Sequence, residues 1–134
     1  MERDRALAMG LEGVSLGEVH SVPVEYVKAG LVLGDVWARM VERGFSQFPV
    51  RREGVVVGCV SERMVNRMVF ERGFEEAIGI GVEEVMGPPF PVLDVGAPLR
   101  LAIPLLQVGQ GVLTSRKGIV TGIVTNSDIG KGFR

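Results

Sequence analysis

The sequence predicts an α+β protein built of two tandem β-α-β-β-α repeats packed sheet to sheet as a pseudo-two-fold pair. Three observations carry this. The chain writes nearly the same string twice, GVVVGCVSERMV over 54–65 and GIVTGIVTNSDI over 118–129. Gly58 aligns with Gly122, and each is followed by two apolar residues and then a hydroxyl residue, Ser61 or Thr125. Three positions further the copies diverge, to Met64 in the first and Asp128 in the second. Next, each string is preceded by the same succession of patterns: a one-turn lead-in, a Pro-led alternation, a helical stripe and a short apolar strand. Finally, 134 residues at 46% apolar content suit one domain or two small halves sharing a core. A lone three-stranded half cannot bury both faces of its sheet, whereas a pair can.

Residues 1–15 read as an N-terminal arm, 16–70 as the first repeat, 71–81 as a Gly-rich linker and 82–134 as the second repeat. LGEV (16–19) and VEEV (82–85) are matching one-turn lead-ins. PVEYV (23–27) and PVLDV (91–95) alternate apolar and polar residues after Pro, which predicts strands. Leu33, Val36, Trp37, Met40 and Val41 form a helical stripe, and Gly44 is placed to end it in a left-handed cap. FPV (48–50) predicts a short strand, and Glu53-Gly54 a tight turn into the buried-type strand 55–60. Ser61 is the N-cap of a helix carrying Met64, Val65, Met68 and Val69 on one face. The linker has room for one helical turn at Phe74–Ile78. In the second repeat the helix around Leu99–Leu106 is about one turn shorter than its counterpart, and Pro104 inside it predicts a short or kinked helix. GVLT (111–114) and 118–124 form a hairpin around Arg116-Lys117-Gly118, and the final helix has barely two turns.

Composition removes several classes of function. Net charge is −1, so no global field draws in nucleic acid or an anionic membrane. Cys59 and His20 are the only residues of their kinds, so neither an intrachain disulfide nor a Cys/His zinc site can form within one chain. No apolar run approaches the ~20 residues of a membrane helix, and MERDRALAMG has no signal-peptide core. The expectation is a cytoplasmic protein. No nucleophile–base pair or catalytic motif is present, so no enzyme and no required cofactor are expected.

The motifs resemble those of the cystathionine-β-synthase-type (CBS) domain pair, or Bateman module. The resemblance runs over roughly 16–131 and rests on EEVM (83–86) before a Pro-containing strand, on FPV (48–50), and above all on GIVTNSD (122–128). That string follows the family's G-h-h-T/S-x-x-D/N element, where h is apolar. The resemblance implies an adenosine-containing ligand, AMP, ADP, ATP or a relative, in a cleft between the repeats. It places Thr125 and Ser127 near phosphate and Asp128 on the ribose hydroxyls. It gives Val112 and Leu113 the adenine slot, closed by the Met86–Phe90 loop. Two positions depart from the family pattern. Met64 cannot accept a ribose hydrogen bond, so the Ser61/Met64 cleft is expected to be weak or empty. GVL also replaces the family's apolar-Pro-Val word.

A second reading stays open for the same residues. Thr-x-x-Asp is also a capping pattern, in which Asp128 reaches back to the Thr125 N–H without any ligand. The expected function is therefore a stand-alone regulatory sensor of an adenine nucleotide. The alternative is a ligand-free dimerisation or protein-interaction module, presenting the Trp37 face and Met64-Val65-Met68-Val69. A homodimer and an unidentified regulated partner are expected, with no membrane. Nucleic-acid binding is disfavoured by the charge. Trp37 is expected to pack in a core or dimer, His20 to take a polar surface or turn position, and Arg51-Arg52 to be solvated.

Overall fold

The computed structural model describes residues 13–109 and 111–129. Strands β1 (Val27–Lys28), β2 (Gln47–Arg52) and β3 (Val55–Ser61) form one three-stranded sheet in that order. Strands β4 (Val92–Asp94), β5 (Val112–Arg116) and β6 (Ile119–Val124) form the other. In each, the first pair is parallel and the second antiparallel. The registers match to the residue: Val50 faces Gly58 and Thr114 faces Gly122, and a bulge follows both Val50 and Thr114. Both hairpins turn on two residues of positive φ, Glu53-Gly54 (48°, 81°) and Lys117-Gly118 (52°, 81°). This is the twist-matched turn in which Gly at the second position carries no steric cost.

The helices are α1 (Leu33–Arg43), α2 (Glu62–Arg72), α3 (Phe74–Ile78), α4 (Val82–Val85), α5 (Ala102–Val108) and α6 (Asn126–Ile129), with 3-10 turns at Leu16–Glu18 and Leu99–Leu101. Helix α1 buries Leu33, Val36 and Met40 and ends at Gly44 with φ 68°, as its stripe predicts. Ser61 caps α2 by accepting from the Met64 N–H at 3.3 Å. In the second repeat a 3-10 turn leads into α5, of 7 residues against 11 in α1. Pro104 falls in the first turn of α5, where its missing N–H costs little. The Pro-led segments pair over less length than their alternation suggests: only Val27–Lys28 and Val92–Asp94 are strand. Among the described residues no helix is long and apolar enough to cross a membrane.

The chain forms two compact units, 25–89 and, among the described residues, 13–24 with 90–129. These units do not follow the repeat boundaries read from the sequence. Each repeat's lead-in packs on the other repeat. Leu16 N–H donates to Ala97 O and Leu99 N–H to Val14 O (2.9 and 2.8 Å), tying the first lead-in to the second repeat. Val82 N–H donates to Leu31 O and Leu33 N–H to Ile80 O (2.9 and 2.8 Å), tying the second lead-in to the first repeat. Leu16 and Val19 share a core with Leu99, Ala102, Leu106, Val112 and Val124. Ile80 and Val82 join Val27, Leu33, Val36, Phe48, Val50 and Val60. The Leu16 turn is locked by a capping box in which Glu18 accepts from the Ser15 N–H at 2.6 Å and the Ser15 hydroxyl at 3.1 Å. Those donors hold the Glu18 carboxyl below its ordinary pKa. The segment read as a linker contributes α3, with Ala77 1% exposed.

The Arg51-Arg52 pair is exposed but engaged: Arg51 lies 4.0 Å over the Tyr26 ring and Arg52 pairs with Glu83. Trp37 meets Phe74 edge to face at 6.3 Å and remains 41% exposed.

Candidate functional site

The duplicated motif places the same turn at the end of β3 and of β6, and the exchanged lead-in closes over each. In unit 25–89, Gly87 forms a bridge with Cys59, its N–H donating to Cys59 O at 2.9 Å and its O accepting from Cys59 N–H at 3.1 Å. In the other unit Ser21 does the same with Ile123, at 2.8 and 3.1 Å. The residue before each bridge lies on the motif glycine. A Cβ at Gly58 would come 2.7 Å from Met86 Sδ and 2.7 Å from Gly87 O. A Cβ at Gly122 would meet the His20 ring and lie 2.7 Å from Thr114 Oγ1. The glycine of the motif is thus required by the approach of the lead-in.

The backbones match and the chemistry does not. Over Gly58 lie a thioether and Val50, and Met64 Cε would be 3.0 Å from a Cβ at Gly87. Over Gly122 the His20 Nδ1 and Thr114 Oγ1 share a hydrogen bond of 2.7 Å, and Thr114 is fully buried. Beside it Ser21 Oγ donates to Asp128 Oδ1 at 2.9 Å. Asp128 Oδ2 accepts from the Thr125 N–H at 2.8 Å and from Thr125 Oγ1 at 3.2 Å. Thr125 Oγ1 is also 2.9 Å from Ser127 Oγ. Asp128 is 3% exposed. His20, Ser21, Thr114 and Asp128 of one unit stand at the positions that Met86, Gly87, Val50 and Met64 hold in the other.

The structure therefore brings Thr125, Ser127 and Asp128 together at one turn, with Ser127 exposed. The capping contact anticipated for Asp128 is present. Phe90 is nearby: a Cβ at Gly111 would touch its ring at 3.4 Å and Ile123 Cδ1 at 3.4 Å. Val112 and Leu113 are both fully buried, and Val112 packs in the core with Leu16 and Leu99. Successive strand residues point to opposite faces, so Leu113 faces away from that core. Met86 belongs to the other unit, over Gly58. Cys59 is half-buried, and burial pushes its thiol above its usual pKa, leaving it a poor nucleophile at neutral pH. No group of His, Cys, Asp and Glu among the described residues could hold a metal ion.

His20 corrects the surface or turn position expected for it, because its ring closes on Gly122 and Thr114. Ser21 and Thr114 carry no motif of their own. The signal that finds Ser21 is the alignment of the lead-ins carried two residues further, which sets His20-Ser21 against Met86-Gly87.

Comparison with known proteins agrees with this architecture. Residues 16–71 match the family model of the CBS domain. The CBS domain of a CBS-domain-containing membrane protein from Sphaerobacter thermophilus superposes with a TM-score of 0.74 at 22% identity, over 97% of this chain and 94% of that one. The CBS domain of the bacterial CNNM/CorC family Mg2+ transporter, solved in complex with ATP, gives 0.78 at 20% identity over 98% and 94%. CBSX2, solved in complex with AMP, gives 0.74 at 20% identity over 90% and 96%. No curated protein sequence matches the chain. The fold is that of the CBS pair, and the match to the CBS domain lies in residues 16–71.

Proposed function

We propose that this protein is a regulatory sensor that binds an adenosine-containing ligand, AMP, ADP, ATP or a relative, at the Thr125–Asp128 turn, and carries out no chemistry. The observation that carries this reading is the asymmetry between two turns of matching register. Only one is equipped with a carboxylate, four hydroxyls and an imidazole. A fold that needed only a capped turn already has one in the apolar copy, where Ser61 caps alone. In this reading Asp128 accepts from the ribose hydroxyls, Thr125 and Ser127 lie near the phosphate, and Leu113 and Phe90 flank the base. The AMP and ATP complexes of fold neighbours support the ligand class. Isothermal titration with AMP, ADP, ATP and S-adenosylmethionine is expected to show saturable heat for at least one, at one ligand per chain, because the Met64 turn offers no carboxylate to a ribose. Flat traces with all four would sink this reading.

A second observation favours self-association alongside it. Trp37, Val41, Phe45, Phe70 and Phe74 on and around α1–α3 are 41%, 66%, 43%, 92% and 54% exposed. Trp37 and Phe74 line an apolar groove together with Leu33, Val65, Val69 and Ile78. An apolar face of this kind on a helical layer suits a two-fold contact with a second copy. Sedimentation equilibrium is expected to return twice the chain mass, and Trp37→Glu to return the single mass. Dimers with no nucleotide heat would leave the interaction-module reading in place.

A further inference from the structure

Ser21–Asp128 and Gly87–Met64 occupy matching places in the two units. In one a hydroxyl meets a carboxylate at 2.9 Å; in the other a methionine methyl lies against a bare glycine. Both second members come from the motif, and both first members come from the lead-in exchanged between repeats. The polar lead-in residue is paired with the polar motif residue.

We infer that Ser21 sets ligand affinity at the Asp128 turn: its hydroxyl holds the carboxylate oxygen that a ribose hydroxyl would take, and has to leave it before a nucleoside ligand binds. This rests on the adenosine reading of the site. Three features support it. Asp128 is 3% exposed, so a ligand hydroxyl reaches the carboxylate only if something over it moves. The bonds to Oδ2 come from Thr125 within the turn itself, and breaking them undoes the turn. The Ser21 hydroxyl can swing off Oδ1 by one χ1 step between staggered wells, while its backbone stays paired with Ile123. Ser21 is half-buried, so the released hydroxyl has access to water. A diol binding at Asp128 then exchanges one charge-assisted hydrogen bond for another, and the Ser21 bond is subtracted from the ligand's affinity. A ligand without ribose hydroxyls gains nothing from the displacement.

The test is calorimetric titration of the full chain and its Ser21→Ala, Ser21→Gly and Ser21→Thr variants with AMP and with 2′,3′-dideoxy-AMP. Glycine is the residue the matching backbone carries at Gly87, so this variant keeps the inference testable if alanine disturbs the fold. Ser21→Ala and Ser21→Gly are expected to bind AMP about tenfold more tightly than the parent, the value of one hydrogen bond to a charged group. Ser21→Thr, which keeps the hydroxyl, is expected to bind like the parent. With the dideoxy ligand the gain disappears. If the parent binds AMP and the Ala and Gly variants bind it equally or more weakly, the role of Ser21 is overturned while the adenosine reading stands. If neither the parent nor any variant binds AMP, ADP, ATP or S-adenosylmethionine, the adenosine reading falls, and the role of Ser21 with it.

Discussion

Replacing Asp128 by alanine is expected to lower the unfolding free energy by about 3 kcal/mol, the upper end for hydrogen bonds to a charged group. The carboxylate is 3% exposed and, among the described residues, accepts from the Thr125 N–H, the Thr125 hydroxyl and the Ser21 hydroxyl, which come from two separate stretches of chain. Removing it leaves the Thr125 N–H without the acceptor that closes the β6–α6 turn. It also releases the lead-in's side-chain hold on that turn. Asp128→Asn separates shape from charge. An amide can accept at one atom only, so either Ser21 or Thr125 faces an N–H2 donor. Its expected cost is about half as large, because one of the two oxygens is kept. Urea denaturation of both variants measures these costs, and the same samples titrated with AMP measure binding. A drop in stability with no ligand heat in the parent would make Asp128 a structural cap alone. A cost below ~0.5 kcal/mol for alanine would show that the carboxylate does not hold the turn, since one net hydrogen bond already exceeds that.

The sequence carried the repeat, the element order and the asymmetry of Met64 and Asp128, because each is a local pattern. Amphipathic spacing placed Leu33, Val36 and Met40 inward, and the doubled turn residues placed both hairpins. What was not legible is the exchange of lead-ins. Residues 16–19 precede 23–27 by only three residues in the chain, so proximity along the sequence assigns them to the first repeat. Their hydrogen-bond partners, Val95 and Ala97, come from the second. Only a non-local pairing decides this, and no periodicity reports it. The same gap hid the site's outer residues. His20 reads as an isolated polar residue until Gly122 and Thr114 are brought beneath its ring, and Thr114 reads as one more β-branched strand residue until its neighbour is an imidazole. Trp37 lies on the same stripe but is 41% exposed and meets Phe74 edge to face, so of the core or dimer position expected for it the core is not the one it takes.

Gly58→Ala is the other substitution with a large expected effect, and comparing it with Gly122→Ala tests whether the matched backbones carry matched constraints. At Gly58 the added methyl meets the Gly87 carbonyl at 2.7 Å. That carbonyl already accepts from the Cys59 N–H, and the Gly87 N–H donates back across the same bridge. It cannot move without breaking the bridge that holds the lead-in to β3, so the expected loss is about 3 kcal/mol, the high end for overpacking. At Gly122 the methyl meets side chains, the His20 ring and Thr114 Oγ1. The half-buried His20 can rotate toward solvent, which leaves the Thr114 hydroxyl buried without its 2.7 Å partner. The expected loss there is about 2 kcal/mol, the cost of an unsatisfied buried hydroxyl plus partial strain. Second-site variants separate the two mechanisms. His20→Ala makes room beside Gly122→Ala, so the double variant is expected to be less destabilised than the sum of the singles. Met86→Ala beside Gly58→Ala removes the flexible thioether but leaves the carbonyl in place, so those losses are expected to add. Equal rescue in both pairs would mean that side chains set the glycine requirement in both repeats. Rescue confined to His20 would assign it to the backbone bridge in one repeat and to the histidine–threonine pair in the other.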